Sequence, residues 1–215
     1  MTHEPLCPRC GVEVQPPGVL SSDWRCDRHG AVAPLHSVLS LTPELIGQVA
    51  QQSGVPVWVL WPLPAGWMLT GALLTGDGRQ PSVAAAVVCS GPSARGGPAD
   101  LVLVSEEPGV GLGAGYAGLA GPDAGPTELS GSPSTRVVAA QHETPLWEIS
   151  SPADRSVYVG EADGRWLWAI AWPMEAVLML HDDARMIDLR DPGLELDVPL
   201  GAMSPRWRPG GFEEG

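Results

Sequence analysis

The chain has 215 residues and a formal net charge of −13, set by 25 acids against twelve Arg and no Lys. So acidic a surface is repelled by phosphate backbones, which excludes non-specific nucleic-acid binding by the whole protein. With 44% hydrophobic and 17% charged residues the chain can bury a real core, while 27 Gly and 23 Pro dictate many turns and at least one loose segment.

At the N-terminus Cys7, Arg9 and Cys10 arrive too early for the apolar run of a secretory signal, so a cytoplasmic location is expected. The first motif follows at once. CPRCG and CDRHG read together as Cys7-x2-Cys10-x15-Cys26-x2-His29, the two-knuckle spacing of a zinc ribbon with His in the last place. Gly11 and Gly30, one residue after each second ligand, give the chain the backbone freedom to fold back past an ion. Between the knuckles Val12-Glu13-Val14 alternates as a strand does, Pro16-Pro17-Gly18 turns, and the return from Val19 to Arg25 leaves Trp24 to cover the site. A head of residues 1–36 is too small to be stable alone, and structural zinc supplies about 10–16 kcal/mol of apparent binding free energy in comparable peptides. One Zn2+ per chain is expected, held by Cys7, Cys10, Cys26 and His29. Four protein ligands leave no open position for water or substrate, so its role is structural. His3 and His36 are possible substitutes for His29, without the knuckle spacing.

Residues 37–54 form a connecting helix: Thr42 is a hydroxyl N-cap, Pro43 fits the first helical position, Glu44 suits the first turn, and Gly54 closes it. Leu45, Ile46 and Val49 make its apolar stripe. From Val55 the period changes to that of strands, with candidates at 55–61, 67–75, 83–90, 100–105, 136–141, 145–149, 155–161 and 165–172. Residues 55–76 carry no charge and are long enough to span a bilayer, but Pro56, Pro62, Pro64 and Gly66 break the run into two buried strands and a turn, not a membrane span. Residues 106–135 hold eight Gly and four Pro with little to bury, and read as a flexible loop or lid. In RWLWAIAW, Trp166, Trp168, Ile170 and Trp172 share one face and Arg165, Leu167, Ala169 and Ala171 the other. That bulky face is a core surface or a groove for an apolar ligand. In residues 174–189, Val177, Leu180, Ala184 and Ile187 fit a helix, and a hairpin around Asp182-Asp183 fits nearly as well. An acidic tail, 206–215, ends the chain.

Tests for chemistry fail. GVGLGAG, residues 109–115, has no GxGxxG, no Lys-Ser/Thr and no helical pattern behind it to face a phosphate. His181-Asp182-Asp183 lacks the further histidines of a phosphohydrolase centre, since only His142 remains in the body. No serine sits in a nucleophile elbow, and Cys89 ends an apolar strand as a small hydrophobe does. Glu106-Glu107 and Glu143 with Glu148 are acid pairs of the kind this composition produces by chance. No catalytic or cofactor-binding residue is assigned.

With CPRCG, WRCDRHGAVAPLH, VPVWVLWPLPAGW, SGPSARGGPADLVLVSEEPGVGLGAGYAG, TPLWEI and MIDLRD in view, the chain resembles an uncharacterised actinobacterial family over nearly its whole length. The resemblance implies the zinc head and a cytoplasmic setting, and no reaction. More loosely, LPAGW leading a sheet that ends in WLWAIAWP is similar to the sheet domains of anti-sigma and membrane-stress regulators, over about residues 60–190. The expected fold is α+β and mostly β: a zinc ribbon over 1–36, then an antiparallel-sheet domain over 55–205 with one or two helices. The expected role is a zinc-binding, non-enzymatic regulatory or protein-interaction module with a protein partner. Alternatives are a nucleic-acid-associated ribbon, against which the head's three Arg and four acids speak, and a hydrolase or transferase with 106–135 as lid.

Overall fold

The computed structural model describes residues 4–19, 21–38, 41–125, 128–180, 184–191, 198–204 and 206. His181-Asp182-Asp183 and nearly all of the expected acidic tail lie outside the described residues. Two short strands in the head, β1 (Arg25–Cys26) and β2 (Gly30–Ala31), pair with each other. All other strands join one ten-stranded sheet: β3 (Leu35–Val38), β4 (Trp58–Leu60), β5 (Met68–Thr75), β6 (Ala84–Pro92), β7 (Pro98–Glu106), β8 (Thr135–Ala139), β9 (His142–Ile149), β10 (Ser156–Ala162), β11 (Arg165–Trp172) and β12 (Arg185–Asp188). Their order is β3-β5-β6-β7-β11-β10-β9-β8-β12-β4, antiparallel throughout except for the β8–β12 pair. The eight strand candidates read from the sequence all contain a strand.

Helix α1 (Pro43–Gln52) starts as its sequence dictates, with Thr42 Oγ1 accepting from Leu45 N at 3.3 Å. Its C-cap is Ser53, one residue before the expected Gly54. Val49 is buried and Ile46 packs beside it in the first of two cores. This first core lies inside the curl of the sheet: β4, last in the order, packs back against β6 and β7, and a 3-10 helix, Met174–Leu180, crosses β7, β10 and β11. The continuous helix over 174–189 is therefore corrected. Residues 185–188 are drawn into β12 because their backbone groups pair with β8 on one side and β4 on the other.

The second core lies on the opposite face of the same central strands. Along β11, Leu167, Ala169 and Ala171 point into the first core, and Trp168, Ile170 and Trp172 into the second. The segment expected to have little to bury covers this second face. It contains a six-residue helix, α2 (Leu112–Ala117), whose Leu112, Ala114, Tyr116 and Ala117 are buried against β7 and β11. That is a correction of substance: the glycines did not mark an empty loop. At the other end of this face residues 198–204 cross over, with Leu69 exchanging backbone hydrogen bonds with Pro199 and Gly201 and with Ser204 and Arg206 donating to the buried Asp100 carboxylate. Among the described residues no helix is long and apolar enough to cross a membrane.

Candidate metal centre

Each half of the head is a turn that presents a sulfur to the backbone. In the first, Cys7 N donates to Val12 O at 2.7 Å and Gly11 N to Cys7 O at 2.8 Å, which closes CPRCG into a loop. The N–H groups of Arg9 and Cys10 point at the Cys7 sulfur. In the second, Cys26 pairs with Gly30 across β1 and β2, and the N–H groups of Arg28 and His29 point at the Cys26 sulfur. Gly11 and Gly30 have φ of 65° and 71°, left-handed values that a side chain would resist, as their positions after the second ligands predict. Gln15 and Arg25 exchange backbone hydrogen bonds of 2.9 and 3.0 Å, holding the two knuckles side by side.

The four expected ligands meet. One donor atom from each of Cys7, Cys10, Cys26 and His29 lies within 4.8 Å of all the others, so the set could hold one metal ion. Cys7 Sγ stands 3.4 Å from His29 Nδ1, Cys26 Sγ 3.7 Å from the same nitrogen, and Cys10 Sγ 3.7 Å from Cys26 Sγ. Bonds of about 2.3 Å to sulfur and about 2.0–2.1 Å to nitrogen give a tetrahedron with edges of about 3.5–3.8 Å, and these three separations lie close to that range. Cys7 and Cys26 are buried, Val14 packs with them, and Trp24 lies against the cluster as its sequence position suggests.

The surroundings prepare the ligands unequally. Burial pushes the Cys7 thiol up to about 12. Burial also acts on Cys26, but the N–H groups of Arg28 and His29 outweigh it and hold that thiol below its usual value. Burial, reinforced by the Arg9 and Arg28 guanidinium groups, lowers the His29 imidazole, which favours the neutral ring a metal needs.

Residues weighed as alternatives stand elsewhere. His36 Nε2 lies 3.1 Å from Gly76 O, and His3 is outside the described residues. Cys89 is buried in the first core, its thiol pushed up to about 12 by that burial. Glu106 and Glu107 diverge: Glu106 is buried under α2, and Glu107 pairs with Arg165 at 3.2 Å. Glu143 pairs instead with Arg136 at 2.8 Å.

Over residues 1–207 the chain matches a family model described as a family of unknown function, DUF6758. The chain belongs to that family. No curated protein and no solved structure matches it. The matched span takes in both knuckles, the whole sheet and the crossing at 198–204, so the head and the sheet are parts of one family unit.

The sequence reading weighed Glu106 only as half of a chance acid pair with Glu107 and missed its role under α2. Its carboxylate accepts from Leu112 N at 2.6 Å and Gly113 N at 3.1 Å, capping α2 from within the second core. Desolvation pushes this carboxyl up to about 8 against those hydrogen bonds, and nearby Asp123 adds to the rise. An acid at the end of an apolar strand carries no periodic signal that tells a buried cap from a solvated charge.

Proposed function

We propose that the chain is a zinc-stabilised, non-enzymatic regulatory or protein-interaction module, in which Cys7, Cys10, Cys26 and His29 close around one structural Zn2+. The observation that carries this reading is the convergence of three sulfurs and one imidazole nitrogen, all within 4.8 Å of one another, with three of their separations at 3.4, 3.7 and 3.7 Å. Soft thiolates with imidazole favour Zn2+ over hard cations, and four protein ligands fill its coordination shell. The ion's work is then mechanical. Apart from the ligands, the head's own apolar cluster is small, with Val14 buried and Trp24 and Val32 beside it, so the ion supplies the stability that burial cannot.

A docking role is supported by what the head leaves outside. Val19 is fully exposed and Val12 is 44% exposed, apolar surface that a partner could cover. Low net charge on the head keeps phosphate backbones from being attractive partners. Elemental analysis tests the metal half: one zinc per chain is expected in the purified protein, and none after Cys10→Ser. Full zinc in Cys10→Ser would remove that residue from the ligand set. Affinity capture with wild type and Val19→Glu tests the docking half, which fails if the two recover the same proteins in the same amounts.

A further inference from the structure

Arg9 sits between Cys7 and Cys10 of the first knuckle, and its guanidinium reaches the backbone ahead of α2. It donates from Nε to the Val110 carbonyl at 3.2 Å and from Nη2 to the Gly109 carbonyl, clasping the backbone that leads into α2. On α2 itself, a Cβ at Gly115 would stand 2.8 and 2.9 Å from the carbonyl oxygens of Pro8 and Arg9, so helix and knuckle touch backbone to backbone. The helix's other side rests on the sheet, where a Cβ at Gly113 would fall 2.3–2.5 Å from the Trp168 ring.

Six residues cannot hold a helix by themselves. Gly111 provides no side-chain cap, so the order of α2 is imposed by the knuckle above and by Trp168 and Glu106 below. The remaining apolar contacts of the head are few, so an ion at the four ligands would be what holds the knuckle in place.

We propose, resting on the metal-binding reading above, that ion occupancy governs the docking of α2: with the ion bound, Arg9 and the knuckle backbone hold residues 109–119 against the second core, and with the ion lost this segment loosens and water reaches Trp168. The protein would then report its metal state through one movable cover on an otherwise unchanged sheet.

Hydrogen exchange on the full chain tests it, read by mass spectrometry alongside zinc content. The informative amides are those of Gly115, Gly118 and Leu119, which donate within the segment. In the zinc-loaded protein, a chelator is expected to speed their exchange by about tenfold or more, the order of effect that follows from losing local protection, while β6, β7 and β11 stay protected. Arg9→Ala removes the clasp and spares all four ligands. It is expected to keep one zinc per chain and still show the fast exchange, whereas Arg25→Ala, on the head's exposed strand, is expected to match wild type. If wild type carries no zinc, the metal reading itself fails and the proposal with it. If zinc leaves and residues 109–119 exchange as before, or if zinc-loaded Arg9→Ala exchanges like wild type, the metal reading stands and the proposed hold on α2 is overturned.

Discussion

Glu106 shows how a single buried group ties local chemistry to stability. Its two oxygens accept two backbone N–H groups, an arrangement suited to a carboxylate, yet desolvation dominates and keeps the proton on. A carboxyl raised to about 8 in the fold and near 4.5 in the unfolded chain contributes stability that is complete below 4.5 and is lost as pH rises through about 8. The stability advantage of wild type over Glu106→Gln is therefore expected to shrink between pH 5 and pH 9, as denaturant titrations would show. An advantage that grows over that range would mean the carboxylate is the favoured form. A second residue-scale prediction concerns the β8–β9 turn, where Ala140 and Gln141 hold φ of 46° and 67°. Asp163-Gly164 makes a similar turn between β10 and β11 with residues that suit positive φ, and Asp-Gly between two apolar runs is a hairpin signal in itself. Ala-Gln announces nothing, because neither side chain favours that conformation. Gln141→Gly is expected to stabilise the chain by about 0.5–1 kcal/mol in urea, since it relieves a strained φ. The metal ligands were legible for the opposite reason: Cys-x2-Cys and Cys-x2-His are local spacings, fixed by the reach of one turn.

At the scale of elements, strands were legible and α2 was not. Alternating or continuous apolar runs such as Leu69–Leu74 and Leu101–Val104 carry their own period, whereas GLGAGYA has glycine where a helix former is wanted. Here tertiary contact overrides propensity, and the glycines are needed because both faces of α2 are touched. That reverses the usual sign of a substitution. In an exposed helix Gly→Ala gains roughly 0.5–1 kcal/mol, but Gly115→Ala is expected to cost about 1–3 kcal/mol, because its methyl would meet the Pro8 and Arg9 carbonyls. Thermal unfolding of the variant checks it, and a rise in Tm would show that the knuckle does not rest on α2. Strand β12 was legible only as half of the hairpin alternative, because four residues of mixed polarity, RMID, become a strand only through partners distant in sequence.

For the molecule as a whole, the head and the sheet are joined at more than one point. Leu6 and Leu35 exchange backbone hydrogen bonds of 3.1 and 2.7 Å, β3 runs from the head directly onto β5, and Arg9 grips the approach to α2. Composition and cysteine spacing suggested a separate ribbon, since contacts of the head with residues a hundred positions away leave no mark on a single sequence. Through such contacts metal removal lowers the sheet's stability while leaving its fold intact. Chelation is expected to lower the Tm of the sheet's unfolding transition, seen by tryptophan fluorescence from Trp168 and its neighbours, and a sheet transition indifferent to chelation would mean the head is only tethered.

Zinc-edge X-ray absorption on the purified protein examines the proposed closed tetrahedral centre most directly. Three sulfurs at about 2.3 Å and one imidazole nitrogen at about 2.0–2.1 Å are the expected shell. An oxygen ligand from water in place of His29 or of any thiolate would contradict it, and would open the ion to chemistry.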